Sequence, residues 1–291
     1  MKGKPALQRT AFLIGMALAV AVILTSTGCG GNLQKNALRG TVKGSGSTTL
    51  LPVVQEAAAQ FTEKYPGTKV DIQGGGSSVG ITQLEQGVVD IGNSSRSLNP
   101  GEGGGKLVDH PVAFDVIALV VNPKMPVSNL SDAQVKGIFL GTIKNWKEVG
   151  GPDKEIVVVI RDQASGTREM FDKKALGQTS TGPPIQCTSS AIESGSNGVV
   201  REIVATTPNA IGYISFGYVN SRLKAVAFNG VQPSKETGAS GQYTMARYLH
   251  IFTKGKPKPV VQAYIDFVLS DRFQKEIVAT EYIPVKEVRT P

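Results

Sequence analysis

The chain has 291 residues, of which 40% are hydrophobic and 19% are charged, and this composition excludes a disordered protein. Its length leaves room for two domains of ordinary size. The net charge of +8 comes without a basic block or interleaved aromatic residues, so we expect no nucleic-acid partner.

The first 28 residues have the pattern of a bacterial lipoprotein signal peptide. Basic residues precede an apolar run over 11–24, which is short for a membrane-spanning helix of roughly 20 residues. Small residues then lead to Cys29, which we expect to carry the lipid, and residues 29–39 predict a polar tether. Ser26 stands where the usual motif has a leucine, so ordinary secretion and an uncleaved anchor remain alternatives.

The two cysteines of the chain predict neither a disulfide nor a metal site. With Cys29 acylated, Cys187 has no partner within the chain, and we expect it to pack as a small apolar side chain. Histidine and cysteine do not occur at metal-ligand spacing, and the acidic residues do not form a calcium loop. We therefore expect no metal and no cofactor.

Short β-like runs alternate with helical patterns along the rest of the chain. The predicted strands cover residues 70–74, 88–93, 112–122, 155–162 and 209–216. One helix is predicted around residues 51–61, where apolar residues fall on one face, and a long amphipathic helix is predicted over 260–279. This alternation predicts an α/β architecture with largely parallel sheets.

Three segments share one design, in which an extended run ends in small hydroxyl-bearing residues and a helical pattern begins at once. They are GSGSTTLLPVVQEAAAQF from Gly44, GGGSSVGITQLEQG from Gly74 and RDQASGTREMFDKKAL from Arg161. A single serine or threonine at such a junction is first of all a helix N-cap. Three junctions together, with free N–H donors and glycines that allow close approach, indicate a site for a small oxyanion. In open α/β sheets ligands bind beyond the carboxyl ends of the strands, where such junctions lie.

Three arginines adjoin these Gly/Ser/Thr turns. A guanidinium group binds a tetrahedral oxyanion through two parallel hydrogen bonds and keeps its charge. Arg161 ends the apolar run EIVVVI, which favours a buried position. For Arg96 and Arg168 a solvated surface position is an equal alternative.

Two local motifs point to other chemistry. The loop over 99–106 has a superficial P-loop pattern, but Pro100 and Leu107 stand where glycine and a hydroxyl residue are needed, which excludes nucleotide binding. Residues 76–80 match the G-x-S-x-G motif of serine hydrolases, with Ser78 as the candidate nucleophile. As part of an anion cradle, the same loop would use Ser77 as a donor, and Ser78 would open the following helix.

A hydrolase would need a base close to Ser78. His110 precedes a proline and His250 lies in a strand-like run, and the helix after Ser78 contains no lysine. We therefore expect no enzyme, with a secreted serine hydrolase as a remote alternative.

The segments GSGSTTLLPV, GGGSSVG, VVDIGNSSRSL and RDQASGTR, in this order and spacing, resemble the phosphate-binding proteins of bacterial ABC-type phosphate importers. The resemblance runs from about residue 40 to the C-terminus. It implies a type II periplasmic-binding-protein fold, with two α/β lobes joined by a two-strand hinge and the ligand in the cleft. It places one lobe at 40–117 plus 219–291 and the other at 118–218.

The resemblance also implies which residues bind phosphate: Ser47, Thr48, Thr49, Ser77, Ser95, Arg96, Arg161, Asp162, Ser165, Gly166 and Thr167. Ser95 and Gln163 stand where the better-known branch of the family has aspartates. One of these aspartates accepts the proton of hydrogen phosphate and so allows sulfate to be refused. In this chain Ser95 is expected to accept that proton, and Asp162 is the nearest replacement. The pattern DIGNSSR is similar to a shorter branch, in which Arg96 adds positive charge to the cleft.

The resemblance implies a monomer that delivers phosphate to the membrane subunits of an ABC permease. Such a protein lies in the periplasm or on the outer face of the cytoplasmic membrane, here anchored by lipid on Cys29. A binding protein for another oxyanion, such as sulfate, molybdate or tungstate, remains an alternative. A receptor that reports phosphate to a sensor is a further one.

Overall fold

The computed structural model describes residues 38–178 and 185–288. The predicted signal peptide, the lipidation site Cys29 and residues 29–37 of the tether lie outside them. Among the helices described, none has the length and apolar character needed to cross a membrane.

Ten strands within the described part of the chain form one sheet. They are β1 Gly40–Gly46, β2 Thr68–Gln73, β3 Ile91–Ser94, β4 Leu107–Val121, β5 Asn129–Leu130, β6 Val157–Arg161, β7 Ile192–Ser194, β8 Ala210–Ser215, β9 Lys224–Phe228 and β10 Ala246–Lys254. The strand order is β2-β1-β3-β10-β4-β8-β6-β7. β9 and β5 stand outside this order: β9 pairs with β4, and β5 pairs with β9. The five predicted strands are all present, although β4 begins at Leu107 and not at residue 112.

The sheet is parallel towards its two ends and antiparallel in the middle. β1 runs parallel to β2 and β3, and β6 runs parallel to β7 and β8. β4 and β10 run antiparallel to each other, and β10 also runs antiparallel to β3 and β4 to β8. The prediction of largely parallel sheets is therefore wrong for the centre, because an apolar run does not encode the direction of its neighbour.

The helices cover the sheet and supply the junctions that matter for the site. They are α1 Leu51–Lys64, α2 Ser77–Glu85, α3 Asp132–Leu140, α4 Gly166–Ala175, α5 Asn197–Thr206, α6 Lys235–Ala239, α7 Pro259–Val268, α8 Asp271–Phe273 and α9 Ala279–Glu281. The helix predicted around residues 51–61 is confirmed as α1, which buries Val53, Val54, Ala57 and Phe61.

The single long helix predicted over 260–279 is wrong. α7 ends at Val268, and Ser270 adopts an extended conformation and caps α8 by accepting a hydrogen bond from the backbone N–H of Phe273, 3.4 Å away. A π-helical turn, Gln274–Val278, then joins α8 to α9. The apolar periodicity continues across this break, so the pattern alone could not reveal it, whereas the serine is a common N-cap residue.

β4 connects two hydrophobic cores. Val112 and Ala113 pack in a core built mainly by α1 and α7, whereas Ile117 and Leu119 pack in a second core with α3 and α4. The described residues pack as one unit, and the predicted lobe boundaries stay a prediction. β9, which those boundaries assign to the first lobe, pairs with β4 and packs in the second core through Val226.

The second core contains the single tryptophan of the chain, and Cys187 packs against this core. Trp146 is completely buried, and its indole N–H donates to the carbonyl oxygen of Asn209 at 2.9 Å. Cys187 is half-buried, and burial raises the pKa of its thiol to about 11. The prediction that Cys187 packs as an apolar side chain is confirmed.

Candidate anion-binding site

The three Gly/Ser/Thr junctions predicted from the sequence lie together in the structure. The hydroxyl oxygen of Thr49, from the junction after β1, lies 3.0 Å from that of Thr167 at the start of α4. The backbone N–H of Ser78, from the junction after β2, donates to the carbonyl oxygen of Ala164 at 3.1 Å. Segments that are far apart in the chain therefore meet at one place.

Two of the predicted serines act as caps for the turns that carry them. Ser165 is the N-cap of α4, and its hydroxyl oxygen accepts from the backbone N–H of Arg168 at 3.2 Å. The hydroxyl oxygen of Ser47 accepts from the backbone N–H groups of Thr49 and Leu50 at 3.2 and 3.4 Å. Because these hydroxyl oxygens act as acceptors, the hydroxyl hydrogens remain for a ligand.

The junction after β2 is built around glycine. α2 begins at Ser77 with Gly76 as its cap, so the expectation that Ser78 opens the helix is wrong. Gly76 has a φ of 97°, and a Cβ at this position would lie 2.6 Å from the carbonyl oxygen of Ala164. A residue with a side chain would therefore be strained and would push the two segments apart.

Ser77 and Ser95 form a buried pair beside the start of α4. The hydroxyl oxygen of Ser77 accepts from the backbone N–H of Ser95 at 3.0 Å, and the two hydroxyl oxygens are 3.3 Å apart. A Cβ on Gly166 would lie 2.9 Å from the Ser95 oxygen and still closer to that of Ser77. Only a glycine lets the backbone at the start of α4 approach these two hydroxyls.

Arg161 brings a buried positive charge to the site. Its Nε donates to the carbonyl oxygen of Ser194 at 3.1 Å, and its Nη2 donates to Gly195 O at 3.0 Å and to Thr48 Oγ1 at 3.3 Å. Its Nη1 is buried and has no hydrogen-bond partner among the described residues. Arg161 is only 1% exposed, and this burial lowers its pKa from the ordinary value.

The carboxylate of Asp162 lies next to this guanidinium in the chain. Its Oδ1 is buried and accepts no hydrogen bond from the residues that the structure describes. It is thus an acceptor that a ligand carrying a proton could use.

Arg247, on β10, is a second buried cation that the sequence analysis missed. Its Nη2 donates to the hydroxyl oxygens of Thr167 at 2.9 Å and Thr49 at 3.3 Å, and to Asp115 Oδ2 at 2.9 Å. Asp115 also accepts from the hydroxyl of Ser215 at 2.7 Å. Burial raises the pKa of Asp115, although Arg247 and Ser215 act in the opposite direction. The available sequence signal was its partner Asp115, a single charged residue inside the apolar run VAFDVIALVV.

Asn197, the first residue of α5, is the other site residue that the sequence analysis missed. Its Nδ2 donates to the hydroxyl oxygens of Thr49 and Thr48 at 3.0 and 3.3 Å. Its Oδ1 accepts from the backbone N–H of Ser215 at 3.1 Å, which fixes the direction of the amide. The sequence signal for Asn197 was a fourth junction of the same kind, SNGVV, in which Ser196 caps the helix.

Arg96 is buried, so the surface position considered for it is wrong, and two carboxylates lie beside its guanidinium group. Its Nη1 and Nη2 donate to the Glu102 carboxylate at 2.6 and 2.7 Å, and its Nε forms an ion pair with Glu169 Oε2 at 2.6 Å. Asn99 Nδ2 also donates to Glu169 Oε2, at 3.2 Å. We call this group the Arg96–Glu169 bridge. Two carboxylates compensate the charge of Arg96, so little of it remains for a ligand.

Arg168 has a structural partner as well. Its Nε donates to Asp172 Oδ2 at 2.6 Å, and its Nη1 donates to the carbonyl oxygen of Arg161 at 3.0 Å. The surface position considered for Arg168 is wrong, since the residue is only 4% exposed. It supports the backbone of the strand that carries Arg161.

The described contacts do not give Ser78 a general base. The hydroxyl oxygen of Ser78 accepts from Arg96 Nη2 at 3.2 Å. The Nε2 atom of His110 lies 3.1 Å from Thr253 Oγ1, and the Nδ1 atom of His250 lies 2.8 Å from Asp109 Oδ1. Both histidines are therefore engaged elsewhere.

The charges and donors of the site suit a small anion. Arg161 and Arg247 each keep one buried guanidinium nitrogen without a partner among the described residues. A buried donor left unpaired costs about 1–3 kcal/mol, and more when it is charged. Acceptor oxygens of a bound anion would remove this cost, and the converging hydroxyls and guanidinium nitrogens match a tetrahedral oxyanion.

Comparison with known proteins agrees with this geometry. A family model described as PBP superfamily domain matches residues 33–272. The curated phosphate-binding protein PstS of Bacillus subtilis is 36% identical over 95% of this chain and 95% of the relative. PstS of Borreliella burgdorferi is 33% identical over 83% of this chain and 88% of the relative.

Solved structures show the same fold. A phosphate ABC transporter substrate-binding protein from Clostridium perfringens, solved with bound phosphate, has a TM-score of 0.79 and 35% identity, over 84% of this chain and all of that one. An ABC-type phosphate transport receptor from Vibrio cholerae has a TM-score of 0.71 and 34% identity, over 83% and 99% of the two chains. The predicted α/β fold of type II periplasmic binding proteins is confirmed. The chain belongs to the PBP superfamily and, within it, to the family of the PstS phosphate-binding proteins.

Proposed function

We propose that this chain is an extracytoplasmic binding protein that captures inorganic phosphate and delivers it to an ABC permease. The observation that carries the proposal is the pair of buried guanidinium groups of Arg161 and Arg247, each with an unpartnered nitrogen beside converging hydroxyls. The relatives above are phosphate-binding proteins by name, and one was solved with phosphate bound. The chain is accordingly a transport receptor and not an enzyme.

Because phosphate is small, each of its atoms must contribute a large binding free energy. Micromolar affinity corresponds to about 8 kcal/mol, and phosphate has about five heavy atoms, so each atom must contribute roughly 1.6 kcal/mol. This value is close to the ceiling for the best small ligands. Almost every phosphate oxygen must therefore be paired, which fits a site with charged donors and several hydroxyls.

Ser95 and Asp162 are the candidates for taking the proton of hydrogen phosphate. Asp162 Oδ1 is buried without a described partner, and it lies next to Arg161 in the chain. Ser95 touches the hydroxyl of Ser77 close to Gly166. Sulfate has no proton to offer at either place, so these two residues would decide between the two anions.

The cleft closes, in this proposal, between two lobes formed by 40–117 plus 219–291 and by 118–218. The contact between Thr49 and Thr167 and the hydrogen bond from Ser78 to Ala164 join these two parts. We change these bounds at one point: β9, which lies within 219–291, is moved to the second lobe, with whose core it packs. Closing of lobes around a ligand is a hinge motion, and the permease would recognise the closed form.

The place of the protein in the cell belongs to the same proposal. We propose a lipid-anchored monomer, attached through Cys29, in the periplasm or on the outer face of the cytoplasmic membrane. Mass spectrometry of the chain purified from membranes tests the lipid, since acylated Cys29 would be the first residue. An unmodified Cys29 would remove this part of the proposal and leave phosphate capture intact.

Isothermal titration calorimetry of the purified full chain in detergent tests phosphate capture. The titrants are phosphate, arsenate, sulfate and molybdate. We expect phosphate to bind with a dissociation constant below about 10 μM, which corresponds to about 7 kcal/mol. Tighter binding of sulfate or molybdate would favour the other oxyanions, and labelling of Ser78 by a serine-reactive probe would favour a hydrolase.

A further inference from the structure

We propose that Arg247, held in place by Asp115, does more than bring charge to the site: it also acts as a positioning residue that forces the hydroxyl of Thr167 to act as a donor towards the bound anion. The inference rests on the proposed phosphate function. It adds a residue from β10, which belongs to none of the Gly/Ser/Thr junctions, and it gives that residue a defined task.

The argument begins with the hydrogen bonds of Thr49. Its hydroxyl oxygen accepts from Asn197 Nδ2 at 3.0 Å and from Arg247 Nη2 at 3.3 Å. A hydroxyl oxygen has two lone pairs and one hydrogen, so both lone pairs of Thr49 are used. Arg247 Nη2 has two hydrogens, of which one is directed at Asp115 Oδ2 and the other is shared between Thr167 and Thr49. With Thr49 as the donor in its 3.0 Å contact with Thr167, all these lone pairs and hydrogens have partners, and we infer this direction.

The direction of the Thr167 hydroxyl follows from this. Its oxygen accepts from Thr49 at 3.0 Å and from Arg247 Nη2 at 2.9 Å, so its two lone pairs are used as well. Its hydrogen has no acceptor among the contacts described and is left for the ligand. Thr167 can therefore donate to an anion oxygen, but it cannot accept a proton from the anion.

Arg247 can do this only because its own position is fixed. Its Nη2 and Nε contact the same oxygen, Asp115 Oδ2, at 2.9 and 3.3 Å. The other oxygen of Asp115 accepts from Ser215, whose backbone N–H also holds Asn197. Arg247 and Asn197, the two donors to Thr49, are thus connected to each other through Asp115 and Ser215.

Loss of Arg247 should reverse the direction of the hydrogen bond between Thr49 and Thr167. One lone pair of Thr49 becomes free, and Thr167 can then turn its hydrogen inward to Thr49. The anion loses the Thr167 donor although Thr167 is still present. Arg247 and Thr167 should therefore depend on each other, whereas Thr48 makes its described contacts with Arg161 and Asn197 and should not depend on Arg247.

A double-mutant cycle on the full chain measures this dependence. Thr167→Val and Thr48→Val are made in the wild type and in the Arg247→Met variant, and phosphate affinity is measured by calorimetry. We expect Thr167→Val to weaken binding at least about tenfold in the wild type and less than about threefold in Arg247→Met. Thr48→Val should cost about the same factor in both backgrounds. An equal cost of Thr167→Val in both backgrounds would overturn the proposal.

Folding has to be controlled, because Arg247→Met leaves Asp115 buried without its cation. If that variant does not give wild-type circular dichroism, the cycle is repeated in Asp115→Asn/Arg247→Met, with the same expected factors. A wild type that fails to bind phosphate contradicts the proposed function. A wild type that binds phosphate but shows an additive cycle contradicts only the role of Arg247.

Discussion

Thr49 and Thr167 are 118 residues apart in the chain, yet their hydroxyl oxygens lie 3.0 Å apart. Thr49 follows β1 and Thr167 begins α4, so this contact joins two of the anion junctions directly. The hydroxyls meet where Arg247 and Asn197 supply further donors. The site thus depends on the mutual arrangement of distant segments, and the following predictions test its parts.

Arg161→Ala should weaken phosphate binding at least tenfold, on the order of 1.5–3 kcal/mol, because it removes a charged donor from a buried site. Arg222→Ala is the control, since the side chain of Arg222 is 51% exposed and pairs with Glu202 on the surface. Calorimetry of both variants gives the comparison. Normal binding by Arg161→Ala would show that Arg161 is not a ligand, even if the chain binds phosphate.

Ser95→Asp should improve the choice of phosphate over sulfate. The new carboxylate can accept the proton of hydrogen phosphate and repels sulfate, so sulfate affinity should fall at least about tenfold more than phosphate affinity. Ser95→Asn has nearly the same shape without the charge and serves as the control. Competition titrations at one pH measure the ratio, and an equal ratio in Ser95→Asp and Ser95→Asn would contradict a proton-accepting role at this position.

Gly166→Ala should weaken phosphate binding at least about tenfold, because the added methyl group would displace the Ser77 and Ser95 hydroxyls. Gly198→Ala is the matched control near the start of α5. A Cβ on Gly198 would lie no closer than 3.8 Å to its nearest neighbour, Ser196 Oγ. The idea fails if both variants bind phosphate equally well.

Glu169→Gln should speed the release of phosphate several-fold, because it breaks the ion pair between α4 and Arg96. The pair joins the two proposed lobes, so its loss should favour the open cleft. Stopped-flow measurement of the release rate tests this, with Glu202→Gln as an exposed control on α5. Unchanged release would mean that the Arg96–Glu169 bridge does not restrain opening.

Asp172 should make the protein less stable as the pH rises from about 4 to 6. Burial raises the pKa of Asp172 from 3.8 to about 6, although Arg168 opposes the shift. Between these two pKa values the folded state holds a proton that the unfolded chain has lost. Ionisation of Asp172 therefore lowers the free energy of unfolding by at most about 3 kcal/mol. Calorimetric unfolding should show that the stability of the wild type relative to Asp172→Asn falls with rising pH. A relative stability that rises with pH would mean that the ion pair with Arg168 outweighs burial.

The local parts of the site could be predicted from the sequence. Ser165 caps α4 and Gly166 allows close approach, and both properties belong to the residues themselves and their immediate neighbours. The apolar run before Arg161 also marked that residue as buried. Patterns of a few residues carry this information because caps and tight turns form within one helical turn.

The parts that depend on distant segments could not be predicted. Arg247 reaches Thr167 from 80 residues away, and nothing in the surrounding ARYLHIF distinguishes it from a surface arginine on a strand. Arg96 adjoins a hydroxyl-rich turn, but its charge is taken up by Glu102 and Glu169, and the latter approaches only through the fold. The antiparallel centre of the sheet was missed for the same reason, because strand direction is a property of the pair.

The position of Trp146 decides how binding can be observed. The indole is completely buried, and its N–H is bound to the carbonyl oxygen of Asn209, while the phosphate ligands proposed above lie on other residues. Its fluorescence should therefore be that of an apolar environment and should change little when the anion enters. Because the chain has no second tryptophan, an optical assay of phosphate capture needs an added fluorophore at the edge of the cleft. The tryptophan emission then serves to follow unfolding.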